Sequence, residues 1–242
     1  MKSIRIYQAG IFTEGKSFTL DKAASNHLIR VLRLKNNQGF TLFNGQGGEF
    51  SCRLEISGKT AITHIDSIIQ TQYESPLSIH LFQGISRGER MDFAIQKAVE
   101  LGVNEITPVF CEHTVVSLKA DRLDKKLQHW KSITISACEQ SGRNIVPHIN
   151  DTCSLKQAFQ TSTGNFKLML EPSSNTSLKM LSHNNNQISI YIGPEGGFSD
   201  TEITQAKQNN VVGVTLGPRI LRTETAALSA ITAIQLLWGD LG

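Results

Sequence analysis

Nowhere in its 242 residues does this chain carry the roughly 18 consecutive apolar residues that a membrane-spanning helix requires. Met1-Lys2-Ser3-Ile4-Arg5 opens without the apolar run of a signal peptide, so the expectation is a cytoplasmic chain with no membrane partner. Cysteine is sparse. Cys52, Cys111, Cys138 and Cys153 show neither CxxC nor other metal-ligand spacing, which predicts isolated thiols in a reducing compartment. The seven histidines form no HExxH pair, and His27, His113 and His148 stand alone, so no metal site is expected. No segment repeats. The composition that remains, 39% hydrophobic and 19% charged, suits an ordinary globular chain with a sizeable core.

Charge is unevenly spread. Residues 1–72 carry nine Lys/Arg against five Asp/Glu, and residues 73–242 carry fifteen against sixteen. A small basic module ahead of a near-neutral body suits contact with a polyanion. The rhythm of the chain changes at the same place. Before it, Ser17–Leu20, Gly39–Phe43, Glu49–Ile56 and Lys59–Ile69 read as strands between Asn/Gly-rich turns, with one helix from about Asp21 to Leu34; this pattern suits a small barrel. After Gln70–Pro76, strands at Ser78–Gly84, Glu105–Phe110, Phe166–Leu170, Ile188–Ile192 and Val211–Leu216 alternate with helices. These helices cover Arg90–Leu101, Arg122–Gln140, Asp200–Asn209 and Thr223–Trp238. Alternation of this kind predicts an α/β domain with a parallel sheet. Ser199-Asp200-Thr201-Glu202 is a capping box that sets one helix start. The last helix is apolar nearly all round, which calls for burial on every side and makes a partner subunit a natural cover.

Two strand-to-helix turns carry the functional signal: Ile192-Gly193-Pro194-Glu195-Gly196-Gly197-Phe198 and Leu216-Gly217-Pro218-Arg219-Ile220-Leu221-Arg222-Thr223-Glu224-Thr225-Ala226. Side by side at the carboxyl edge of a parallel sheet, such turns make a ligand pocket. Neither is a G-x-x-x-x-G-K-[ST] loop nor G-x-G-x-x-G, and no acidic residue lies between Glu202 and Glu224 to take a ribose. A nucleoside triphosphate or nicotinamide dinucleotide is therefore disfavoured. A metabolic enzyme with another nucleotide cofactor is disfavoured on the same grounds, and a non-catalytic RNA-binding or assembly factor is the alternative of a different class.

The two turns resemble the S-adenosylmethionine (AdoMet) signatures of the SPOUT methyltransferases, whose catalytic domain is a trefoil knot. Within that class the chain resembles the RsmE family of 16S rRNA uridine N3-methyltransferases. His27–Lys35, Lys97–Val103 and Glu139–Arg143 add to the resemblance, which runs the length of the chain. It implies a PUA-like β-barrel over residues 1–72 and a parallel-sheet SPOUT domain with a C-terminal knot over 73–242. It also implies AdoMet as cofactor, a homodimer through the SPOUT domain, and methylation of one decoding-region uridine on assembled small subunits.

The expected cofactor residues are Leu170, Glu171, Pro172, Ile192, Gly193, Pro194, Glu195, Gly196, Gly197, Leu216, Gly217, Ile220, Leu221, Arg222, Thr223, Glu224, Thr225 and Ala226. Arg222 is expected to orient the target or stabilise charge on uracil oxygens, with Glu195 and Glu224 as candidates for positioning or proton removal. Arg143 is expected to reach the site from the partner chain. Arg30 and Arg33, three apart, are expected on one helix face, with His27 a turn before and Lys35 after; with Arg5 they form the expected RNA grip.

Overall fold

The computed structural model describes residues 4–71, 73–115, 120–182 and 185–242. Met1 to Ser3, read above as leaderless, and Gln72, within the expected boundary, lie outside the described residues. The chain divides into two units. One comprises Met1–Glu74 with Cys138–Val146, the other Ser75–Ala137 with Pro147–Gly242.

The first unit holds β1 (Arg5–Tyr7), β2 (Ser17–Thr19), α1 (Lys22–Asn26), β3 (Gly39–Phe43), β4 (Glu49–Ser57) and β5 (Thr60–Ile69). Their order is β1-β3-β4-β5-β2, with β1 parallel to β3 and the rest antiparallel. In β4 the pleat sends Cys52 and Leu54 inward and Arg53 and Glu55 out, the alternation of a half-buried strand. The two edge strands are drawn together. Gln8, just after β1, accepts the Asp21 N–H, just after β2, on Oε1 at 2.9 Å. Ile6, Leu28, Leu42, Phe50, Leu54 and Ile65 fill the enclosed core. This is the PUA-like architecture expected of the first part.

One expectation fails here. The helix does not run from Asp21 to Leu34. Asp21 caps α1 by accepting the Ala24 N–H, but α1 ends at Asn26 and the backbone widens into a π-helical turn over His27–Val31. The Leu32 N–H reaches back to the His27 carbonyl at 2.9 Å, and Arg33 adopts φ of 55°. A left-handed residue cannot continue a helix. Arg30 and Arg33 therefore do not share a helix face, although Arg30, Arg33 and Lys35 are all exposed and His27 is half-buried.

The second unit contains β6 (Ser78–Gly84), α2 (Glu89–Glu100), β7 (Glu105–Phe110), α3 (Ala120–Ser141, whose end from Cys138 belongs to the first unit), β8 (His148–Ile149) and β9 (Cys153–Ser154). It continues with α4 (Leu155–Thr161), β10 (Phe166–Leu170), β11 (Gln187–Ile192), α5 (Asp200–Gln208), β12 (Val212–Val214) and α6 (Thr223–Trp238). The sheet order is β12-β10-β11-β6-β7-β8, with β9 also on β7, and every pair is parallel. Its middle strands are buried along most of their length, as in Ile188–Ile192, because helices cover a parallel sheet on both faces. The capping box at Ser199 forms as expected, with Ser199 Oγ accepting the Glu202 N–H and Glu202 accepting the Ser199 N–H. A second box, Ser154 with Gln157, starts α4, a helix the periodicity did not signal.

α6 packs on α2 and buries Ala226, Ala227, Ala230, Ile231 and Ile234. Leu236 and Leu237 on its last turn remain 58% and 44% exposed. One chain thus covers one side of this helix and leaves the other open.

Candidate functional site

β10 is the strand at which chain order reverses: the next strand, β11, lies on one side of it and β12 on the other. Connections leave a parallel sheet in opposite directions at such a point, so a crevice opens beyond the carboxyl ends of the strands. A cavity of about 530 Å³ lies there. Three segments line it, each following its strand: 170–173 after β10, 192–198 after β11, and 214–223 with Ala226 after β12.

Close packing fixes these segments. A Cβ on Gly84, at the end of β6, would overlap the Gly193–Pro194 backbone. A Cβ on Gly196 would fall 2.7 Å from that of His113, whose Nδ1 lies 3.0 Å from the Gly196 carbonyl oxygen. Thr223 joins the two turns. Its hydroxyl accepts Gln83 Nε2 at 2.9 Å and donates to the Gly193 carbonyl at 2.5 Å. Glu171 is buried against Gly213, and its Oε1 accepts the Ser173 hydroxyl at 3.0 Å.

Glu195 has a defined partner set. One carboxylate oxygen accepts the Arg87 N–H at 3.0 Å and lies 3.3 Å from Arg90 Nη1. Burial alone would raise its pKa, but the backbone hydrogen bonds and the Arg90 guanidinium outweigh burial and hold it below the usual carboxylate value. Glu195 is thus a charged clasp between its loop and the residues before α2.

Of the expected cofactor residues, Glu224 and Thr225 do not line the cavity. They occupy positions two and three of α6, and a helix that turns Thr223 and Ala226 toward the cavity turns the intervening residues away. Thr225 faces solvent, and Glu224 Oε2 is buried without a hydrogen-bond partner among the described residues. The structure adds Arg90, Ser173, Phe198, Asp200, Ile203, Val214, Thr215 and Arg219 to the lining. Most adjoin the two turns in sequence; Arg90 comes from α2 and had no local signal.

Two expected arginines are placed otherwise. Arg143 sits in the first unit with its side chain 4% exposed, and its Nε and Nη2 donate to Glu74 Oε2 at 2.9 and 2.6 Å. In the single chain its guanidinium is engaged inside the first unit. Arg5, with a side chain 10% exposed, pairs with Glu49 and donates to the Arg143 carbonyl and Asn144 Oδ1. Its Nη1 and Nη2 donors are taken up inside the first unit.

The four cysteines are free thiols, as expected, and burial raises the pKa of each. Among the described residues no cluster of His, Cys, Asp and Glu could hold a metal, and no helix is long and apolar enough to cross a membrane.

Residues 73–235 match the family model described as RNA methyltransferase domain, and residues 20–65 the one described as RNA methyltransferase PUA domain. Ribosomal RNA small subunit methyltransferase E of Buchnera aphidicola (from Schizaphis graminum) is 40% identical over 239 residues, covering 98% of this chain and 97% of that one. The protein of the same name from Rickettsia conorii is 32% identical, covering 98% and 97%. Among solved structures, a ribosomal RNA small subunit methyltransferase E from Neisseria gonorrhoeae bound to S-adenosyl methionine superposes over 100% of both chains with a TM-score of 0.94 at 41% identity. Likeness of this degree, along the whole length and over both units, means that the chain belongs to the ribosomal RNA small subunit methyltransferase E family.

Proposed function

We propose that this protein transfers the methyl group of AdoMet to N3 of one uridine in the decoding region of 16S rRNA, in the cytoplasm and on assembled small subunits. In this reading residues 1–72 are the RNA-binding domain and residues 73–242 the methyltransferase domain, with a C-terminal knot and a homodimer through α6. The observation that carries it is the cavity built by three strand-end loops at the switch point of the parallel sheet. Its volume lies within the span of about 300–1,000 Å³ typical of small-molecule sites. Its walls combine Leu170, Ile192, Val214 and Leu216 with the carboxylate of Glu171, a mixture that suits a purine on a charged, amino-acid-bearing tail.

Leu170–Pro172, Gly193–Gly197, Leu216, Gly217, Leu221, Thr223 and Ala226 would hold AdoMet, which when bound supplies a methyl carbon activated by a sulfonium. The protein's work is then alignment of the acceptor and management of charge. Uracil N3 bears a proton and is normally hidden by pairing or stacking, so the base must be turned out and its developing negative charge steadied. Arg222 suits the second task. It lines the cavity, is exposed, and its guanidinium has no hydrogen-bond or ion-pair partner among the described residues. Glu195 fixes the wall of the site rather than accepting the N3 proton, since a carboxylate with a depressed pKa is a poor base near neutrality. Arg30, Arg33 and Lys35 supply the exposed cations for rRNA phosphates.

The test is to incubate the protein and methyl-labelled AdoMet with small subunits from cells lacking any related enzyme, and to map the label by nucleoside mass spectrometry. A single 3-methyluridine in the decoding region is the expected result. Label on another nucleotide or atom would overturn the target. Absence of both label and AdoMet binding would overturn the enzymatic reading.

A further inference from the structure

We propose that Ile220 is an apolar wedge that takes the stacking place of the target base when that base turns into the cavity, while Arg219 holds a flanking phosphate. This rests on the methyl-transfer reading above and deepens it. Ile220 was expected to hold cofactor, and it does line the cavity, yet it is 87% exposed.

The loop that carries Ile220 is fastened at both ends. Upstream, Gly217 takes φ of 116° and its carbonyl accepts the Thr215 hydroxyl at 3.1 Å, and Pro218 then locks the next φ. Downstream, Thr223 is pinned between Gln83 and the Gly193 carbonyl. Between these anchors Arg219, Ile220 and Arg222 all face solvent at the cavity. Arg90, on the same lining, is engaged by Glu195, whereas the guanidinium groups of Arg219 and Arg222 have no hydrogen-bond or ion-pair partner among the described residues.

A branched aliphatic side chain held in water between two free guanidinium groups has the chemistry of a surface that unstacks nucleic acid. Isoleucine inserts between base steps in proteins that kink or open them, and arginine takes the adjoining phosphates. A base extruded for chemistry leaves a gap in its stack, and filling that gap lowers the cost of extrusion. Ile220 is thus a positioning residue: it touches the neighbours of the reacting base, not the methyl group.

The experiment compares Ile220→Ala and the conservative Ile220→Met with the unmodified chain on two substrates. One is the intact, unmethylated small subunit. The other is a subunit reconstituted with an abasic nucleotide beside the target, where no stack remains to be filled. Ile220→Ala should lose tenfold or more in kcat/KM on the first substrate and recover most of that on the second. Ile220→Met should stay active, and AdoMet affinity by calorimetry should be unchanged in both variants. Equal loss on both substrates would overturn the wedge, as would weakened AdoMet binding, which would return Ile220 to the cofactor wall. A change in sedimentation on Ile220→Ala would show a second copy covering the residue and would also overturn it. Failure of the unmodified chain to methylate either substrate would instead bring down the methyl-transfer reading, and the wedge with it.

Discussion

Arg143 and Glu195 both depend on partners that no local pattern names. Arg143 stands in a motif of the family resemblance and was read as catalytic, but it lies buried against Glu74, whose other oxygen accepts the Asn144 and Ile145 N–H groups. Its work is to neutralise that carboxylate. Arg143→Ala should therefore cost about 1–3 kcal/mol of stability, the usual penalty for leaving a part-buried charged group without its partner. Denaturant unfolding of the two proteins measures it, and a loss below about 1 kcal/mol would show that the pair is dispensable. Glu195 was legible as a site residue, but its partners, Arg87 and Arg90, lie over a hundred positions away. Its folded pKa is depressed, so its stabilising contribution is present above the unfolded value of about 4.5 and is lost as pH falls through the folded value. Glu195→Gln should melt earlier than the unmodified chain at pH 7, with the gap closing below about pH 4. A gap independent of pH would rule out the charge as its cause.

The elements around the site were well marked in sequence because their signals are local. β6, β7, β10 and α6 have the bounds expected of them, and the start of α5 follows from its capping box. The segment after α1 was not legible, since a π-helical turn and a left-handed Arg33 leave no mark in a 3.6-residue pattern. Its exposed cations keep their proposed RNA role without a common helix face. Reversing Arg30 and Arg33 to Glu should weaken rRNA binding and flatten its salt dependence, read from titrations at several ionic strengths. Unchanged binding would reject the grip.

On β6, His80 is sandwiched on Phe82 with Nε2 2.7 Å from Thr107 Oγ1, and burial lowers its pKa from 6.5 to about 4, outweighing the opposing pull of Glu105 and adding to the repulsion of His148. Folding then favours the neutral ring. Its stabilisation is full above pH 6.5 and drains as pH falls toward 4, by up to roughly 3 kcal/mol at about 1.4 kcal/mol per unit. Replacement by Gln should flatten the decline of thermal stability across that window. Gly84, at the end of the same strand, admits no side chain beside Gly193–Pro194. Gly84→Ala should weaken AdoMet binding by tenfold or more in calorimetry while the circular dichroism spectrum is kept.

For the molecule as a whole, the open question in one chain is the far side of α6. Leu236 and Leu237 stay exposed on a helix with little polar face, where a second copy would remove apolar surface from water. We expect sedimentation at twice the chain mass, and a monomer when both leucines are changed to Glu. Monomeric behaviour of the unmodified chain would leave this face to another partner.

Sequence by itself determined the class of the protein: strand and helix periods, caps and glycine turns are read within a few residues, and the two turns beside Gly193 and Gly217 are local enough to carry the cofactor reading. Tertiary structure decided which charged residues are available. Whether an arginine faces a cavity, as Arg222 does, or is itself buried against a half-buried carboxylate, as Arg143 is, depends on partners far away in the chain. The same holds for Ile220, an ordinary apolar letter in sequence whose exposure at the cavity is set by anchors at Gln83 and Gly193. Burial and pairing are properties of the packed chain, and no local pattern encodes them.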